Sequence, residues 1–154
     1  ISLALLLGAR FGILAGMRRA VALMDSMVRM YGLEARYAGT ASLELRVLDF
    51  EKDRAKTLGV LERTSWELRS NGAEVLLLGC AGLTGFVAEL QARVEMPVID
   101  PVEAGCRLLK SICESGLNTS HIGLYSKPAS QNMQNLERVF SPAAARFIRK
   151  PRTD

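Results

Sequence analysis

The chain has 154 residues, 49% apolar and 23% charged, with a formal charge of +4, values that suit one soluble globular domain with a real core. Much of the positive excess lies in Arg146, Arg149, Lys150 and Arg152. No basic pattern interleaved with aromatics accompanies it, so the composition argues against nucleic-acid binding.

Cys80, Cys106 and Cys113 make neither a metal spacing nor an even disulfide set, and with His121 the single histidine there is no zinc constellation. Reduced thiols and a cytoplasmic location are expected. Ile1 to Gly16 is apolar, but Arg10 interrupts it, no basic segment precedes it and it is too short to span a bilayer. No membrane association is expected. The sequence opens at Ile1 without Met, inside an apolar segment, which reads as a piece of a longer protein.

Ile1 to Ala9 reads as the end of a helix, and Arg10 to Ala15 as a buried strand stopping at Gly16. Arg18 to Tyr31 places Val21, Met24, Val28 and Tyr31 on one helical face, with Gly32 as its stop. Leu33 to Tyr37 suggests a second strand, and Thr40 to Phe50 a loop with a short extended piece. Glu51 to Ser70 is a charged amphipathic helix with Leu58, Leu61 and Leu68 inward, ended by Asn71-Gly72.

The next stretch organises the chain. Glu74 to Leu78 reads as a strand buried on both faces, since Val75 to Leu78 is a continuous apolar run. It leads through Gly79-Cys80-Ala81-Gly82 to helical periodicity from Leu83 to Val94. Pro97 to Asp100 forms a short strand, and Pro101 opens a helix to about Ser115, stopped by Gly116. Asn118 to Pro128 reads as loop with one extended piece, Gln131 to Phe140 as a short helix, and the basic end as frayed. Strand alternating with helix predicts an α/β domain: a mostly parallel sheet flanked by helices. Ligands of such sheets bind beyond the carboxyl ends of the strands, which singles out Ala15-Gly16 and Gly79-Cys80.

Placed between a strand tip and a helix N-terminus, Cys80 meets free amides and the positive end of a helix dipole, which favour the reactive thiolate. A buried structural cysteine is the other reading of the same position. Gly79, Gly82 and Gly85 imitate a dinucleotide fingerprint, yet the spacing fails where Cys80 replaces a glycine, and no P-loop lysine follows. These glycines let the backbone approach a small anion closely. Cys106 and Cys113, seven apart on one face of a helix, read as core fillers, and Asp100 as that helix's cap.

Leu78-Gly79-Cys80-Ala81-Gly82, Pro97 to Val102 and Gly116 to Ser120 together resemble the aspartate/glutamate/hydantoin racemase superfamily. Arg10-Phe11-Gly12-Ile13 and Tyr31-Gly32-Leu33 agree with its hydantoin and allantoin racemase branch, over about Ala9 to Pro128. The resemblance implies a cofactor-independent enzyme of two similar α/β domains, each offering one cysteine to a cleft between them. One thiolate takes the proton α to a carbonyl, and the other thiol returns one to the opposite face, while backbone amides stabilise the enolate. Cys80 corresponds to the second cysteine and Ala81 and Gly82 to the adjacent amide donors. Ala15 and Gly16 stand at a strand end where that branch carries hydroxyl residues, and His121 where a lysine is common.

On this reading the first cysteine belongs to an N-terminal half that precedes Ile1, and neither Cys106 nor Cys113 replaces it. The expected organisation is a racemase-like domain over 1–116 and a C-terminal extension over 117–154 that packs on the missing N-terminal domain. The expected ligand is a small carbon acid such as a 5-substituted hydantoin or related ureide, with no metal. The expected partner is another copy of the chain or the N-terminal half of the same enzyme. A decarboxylase of arylmalonate type, a maleate isomerase, or a non-catalytic small-anion-binding fragment are the alternatives.

Overall fold

A computed structural model describes residues 1–126, and the chain divides into a compact unit, Ile1–Gly116, and a second, Leu117–Asp154. The first unit is an α/β layer structure. Its elements are α1 (Ala4–Leu7), β1 (Phe11–Ala15), α2 (Val21–Met30), β2 (Tyr37–Ser42), α3 (Arg54–Ser70), β3 (Val75–Leu78), α4 (Val87–Val94), β4 (Val98–Ile99) and α5 (Pro101–Glu114). The four strands form one sheet in the order β2-β1-β3-β4, every pairing parallel. Central β1 and β3 are buried at every position, which explains their unbroken apolar sequences.

Side-chain alternation divides the core between the two faces of the sheet. Leu14, Leu76, Leu78 and Val98 pack with Leu58, Leu61 and Leu68 of α3 and Leu90 and Val94 of α4. Phe11, Ile13, Val75, Leu77 and Ile99 pack on the other side with Ala4 of α1 and Val28 of α2. The inward set expected for α3 is therefore correct. That helix also buries Thr57, Thr64 and Ser65, polar positions that an apolar count passes over. Two of them satisfy themselves locally: Thr57 Oγ1 donates to the Phe50 carbonyl (2.9 Å) and Ser65 Oγ to that of Leu61 (2.7 Å).

Several boundaries differ from the sequence reading. The second strand runs over Tyr37–Ser42 rather than Leu33–Tyr37, because Glu34–Arg36 forms a 3-10 turn. The Arg36 guanidinium there donates to the carbonyls of Leu5, Gly8 and Ala9. β2 is an edge strand, half-exposed, so it never needed an apolar run. α3 begins at Arg54, not Glu51, since Asp53 caps it by accepting from the Lys56 amide (3.0 Å). Tyr31 is 62% exposed, because α2 ends at Met30 and the residue lies past the last periodic position.

Cys106 and Cys113 are exposed and fill no core. Of α5, only Ala104 packs on the sheet cluster, while Val102, Leu108, Leu109 and Ile112 stay exposed beside the two thiols. An apolar stripe reveals a face to be covered, without naming what covers it. The cap expected at Asp100 is present: its carboxylate accepts from the amides of Val102 (2.7 Å) and Glu103 (3.3 Å), ahead of Pro101.

Beyond Gly116, the described residues hold a 3-10 turn, Gly123–Tyr125, preceded by Ile122 in extended conformation, and no strand. The helix expected over Gln131–Phe140 and the frayed basic end lie outside the described residues. No helix among the described residues is long and apolar enough to cross a membrane.

A polar tie joins α2 to the edge strand. The Tyr37 hydroxyl donates to Asp25 Oδ1 and accepts from Thr40 Oγ1. Burial first, and the Asp25 bond second, raise the phenol well above its ordinary 10.0. A group whose pKa is raised by folding contributes stability below its unfolded value and loses it as pH rises. The stability difference between the wild type and Tyr37→Phe is therefore expected to be constant below about pH 9 and to shrink above pH 10. Urea titrations of both proteins over that range measure it, and a difference that grows with pH would contradict the assignment.

Candidate functional site

The site grows from the parallel pairing of β1 with β3. One residue past the last registered pair, Leu14 with Leu78, the Gly79 amide still donates to the Leu14 carbonyl (2.8 Å). This bond carries Gly79 and Cys80 over the carboxyl edge of the sheet beside Ala15 and Gly16. Gly79 has no room for a side chain. A Cβ there would meet the Leu14 carbonyl oxygen at 2.9 Å and the Met24 thioether at 2.9 and 2.7 Å. Cys80 follows in extended conformation (φ −144°, ψ 129°), half-buried and a free thiol.

The helix expected to begin at Leu83 begins four residues later, at Val87. Between it and Cys80 lie a 3-10 turn, Ala81–Leu83, and Gly85 at φ +96°, a left-handed conformation that favours glycine. The dipole of α4 therefore starts beyond Cys80. Cys80 directly precedes the short turn instead. Within it the Leu83 amide bonds to the Cys80 carbonyl (3.0 Å) and the Thr84 amide to that of Ala81 (3.1 Å). The amides of Ala81 and Gly82 donate to no group among the described residues, and both residues are exposed. A short turn leaves its first N–H groups open for the same reason a helix does. Two open amides thus follow Cys80 where the sequence predicts a helix N-terminus.

Ala15 and Gly16 are buried, not open, and their carbonyls accept from the amides of Leu43 (2.8 Å) and Leu45 (3.1 Å). They form the floor on which the chain leaving β2 is fastened. Phe50, fully buried, joins this floor to the thiol loop. Its ring lies 3.2 Å from the position a Gly16 Cβ would take, and 3.3 and 3.4 Å from that of Gly82. The Gly82 position also faces Val47 at 2.7 Å. Sequence reasoning missed Phe50, because it falls in the stretch read as loop. No local pattern in that stretch marks a core aromatic. His121 is an exposed residue of the second unit.

These features define a class: a parallel α/β sheet covered by helices on both faces, presenting one thiol and two open amides at its carboxyl edge. Comparison with known proteins narrows it. The sequence model described as Asp/Glu/Hydantoin racemase matches residues 1–109, and the chain belongs to that family. It is 36% identical over 124 residues to the hydantoin racemase of Paenarthrobacter aurescens, covering 80% of this chain and 52% of that one. With the hydantoin racemase of Pseudomonas sp. (strain NS671) the identity is 32% over 127 residues, covering 82% and 51%. Among solved structures, allantoin racemase from Pseudomonas fluorescens superposes with a TM-score of 0.77 at 29% identity, covering 84% of this chain and 56% of that one. Allantoin racemase from Klebsiella pneumoniae gives 0.76 at 26% identity, covering 92% and 58%. The chain thus spans about half the length of the relatives it matches.

Proposed function

We propose that this chain provides one half of a cofactor-independent racemase site for a small carbon acid, a 5-substituted hydantoin or a related ureide. The observation that carries the proposal is the Cys80 thiol at the sheet edge, beside two amides without partners among the described residues. The similarity to hydantoin and allantoin racemases supplies the substrate class.

In the proposed reaction the Cys80 thiolate takes the proton α to the substrate carbonyl and becomes a thiol. The released electron pair moves onto the carbonyl oxygen as an enolate, and the Ala81 and Gly82 amides receive that charge. A second thiol on the opposite face donates a proton to the carbon and becomes the thiolate. Buried Ala15 and Gly16 set the height of the floor beneath the substrate. Cys106 and Cys113 lie on α5, so the second acid comes from outside this chain, either the complementary half of the enzyme or another copy. The same count favours one alternative, a one-cysteine decarboxylase or isomerase of the same superfamily. A cytoplasmic setting accords with three free thiols.

Deuterium uptake by NMR and optical rotation, followed in parallel on a 5-substituted hydantoin, separate these readings. The 154-residue chain alone is expected to exchange the α-proton slowly at most, without proportionate loss of rotation, since one base works on one face. Adding the complementary half of a hydantoin racemase should restore coupled exchange and racemisation. Efficient racemisation by the chain alone would overturn the two-half reading.

A further inference from the structure

We infer that Arg54 is a positioning residue, a strap that holds the Ala81–Phe86 loop so that the Ala81 and Gly82 amides stand beside the Cys80 thiol. The inference rests on the proposed role of Cys80 and extends it to a side chain on another element. Arg54 is the first residue of α3, and its guanidinium converges on the far end of the loop. Nη2 donates to the Gly85 carbonyl (2.7 Å), Nε and Nη2 to Glu89 Oε1 (3.0 and 2.5 Å), and Nη1 to Glu51 (3.2 Å). The same group lies over the Phe86 ring, 4.2 Å from its centroid.

Each contact alone is modest, since an exposed ion pair contributes little. Together they use the rigid planar fork that distinguishes arginine from lysine. Gly85 at φ +96° turns its carbonyl toward that fork. From within, Leu83 and Phe86 are fully buried and fix two points of the loop. Gly82 has no side chain to anchor it, and Thr84 and Gly85 are exposed. Among the described residues the loop's other backbone bonds are short-range ones, from Leu83 to Cys80, Thr84 to Ala81, Phe86 to Leu83 and Leu90 to Phe86. Among the described residues, Arg54 is thus the polar tie from the loop's solvent side to α3.

The comparison is with Arg93, which also bridges α4 to α3, through Glu62 (3.0 Å), but touches no residue of the loop. In the 154-residue chain, Arg54→Ala is expected to speed native-state amide exchange at Leu83, Thr84 and Phe86 about tenfold. Arg93→Ala should leave those three amides within about twofold of wild type. Arg54→Lys, which keeps the charge but not the fork, should fall between. With the complementary half added, Arg54→Ala should lower kcat about tenfold with little change in KM, because the amides act on charge that develops in the transition state. Arg54→Lys should recover part of that loss. Equal amide exchange in the Arg54→Ala and Arg93→Ala variants overturns the strap. Faster exchange with unchanged turnover overturns its positioning role. A wild-type protein that shows no turnover overturns the racemase reading instead, and the three amides still decide whether Arg54 holds the loop.

Discussion

Cys80→Ser is expected to lower proton abstraction by the complemented enzyme about 10²–10⁴-fold, the range that a positioned general base contributes. The substitution keeps size and shape. It puts an alcohol, intrinsically a far weaker acid than a thiol, in the same place, so the site keeps its form and loses its base. The Cys80 side chain makes no hydrogen bond among the described residues, and only its backbone carbonyl enters the turn, so folding should be unaffected. Cys106→Ser and Cys113→Ser serve as controls. Both thiols are exposed on α5, and their loss should change stability by no more than about 0.5 kcal/mol and leave turnover alone. Initial rates of α-deuteration, with thermal unfolding of each variant, measure both effects. A Cys80→Ser enzyme retaining more than a tenth of the wild-type rate would show that another group removes the proton.

Phe50→Ala is expected to cost about 3–5 kcal/mol, the usual loss on emptying a buried aromatic site. Domains of this kind are stable by only about 5–15 kcal/mol, so the variant should sit near the edge of folding at room temperature. The size of the effect follows from where the ring lies. It fills the space between Gly16 at the end of β1 and Gly82 after β3, two glycines with no side chains to close the gap. Its carbonyl is held by Thr57, so the backbone stays in place when the ring is removed and the cavity has little means of collapsing. Urea unfolding should show a lower midpoint with an unchanged slope. Gly82→Ala, which crowds Val47 and Phe50 in the wild type, should cost less in the Phe50→Ala background. A double-mutant cycle reads that coupling directly. Additive losses would mean that ring and glycine do not share one packing site.

These two residues show why part of the site was legible in the sequence and part was not. Cys80 stands between an apolar run and a cluster of glycines, a local pattern with a local meaning: a buried strand must end in a turn, and the residue at that end faces a ligand edge. Phe50 has no such pattern. Its neighbours Gly16 and Gly82 are 34 and 32 positions away along the chain, and only the folded arrangement brings all three together.

By itself the sequence determined the layered α/β architecture, the buried central strands β1 and β3, the inward face of α3, the Asp100 cap and the position of Cys80. All of these depend on periodicity or on contacts within a few residues. Tertiary structure decided the rest. Edge position let β2 form from a half-polar segment, Tyr37–Ser42, that carries no strand signal. The left-handed Gly85 and the Ala81–Leu83 turn delayed α4 to Val87, so Cys80 is followed by two open amides in place of a helix N-terminus. Burial beneath the Leu43–Leu45 segment closed Ala15 and Gly16, and the convergence of Arg54, Gly85, Phe86 and Glu89 joined two helices across the loop. Apart from that local turn, the deciding contacts are made by residues distant in the chain, and their energy exists only once the sheet has brought them together.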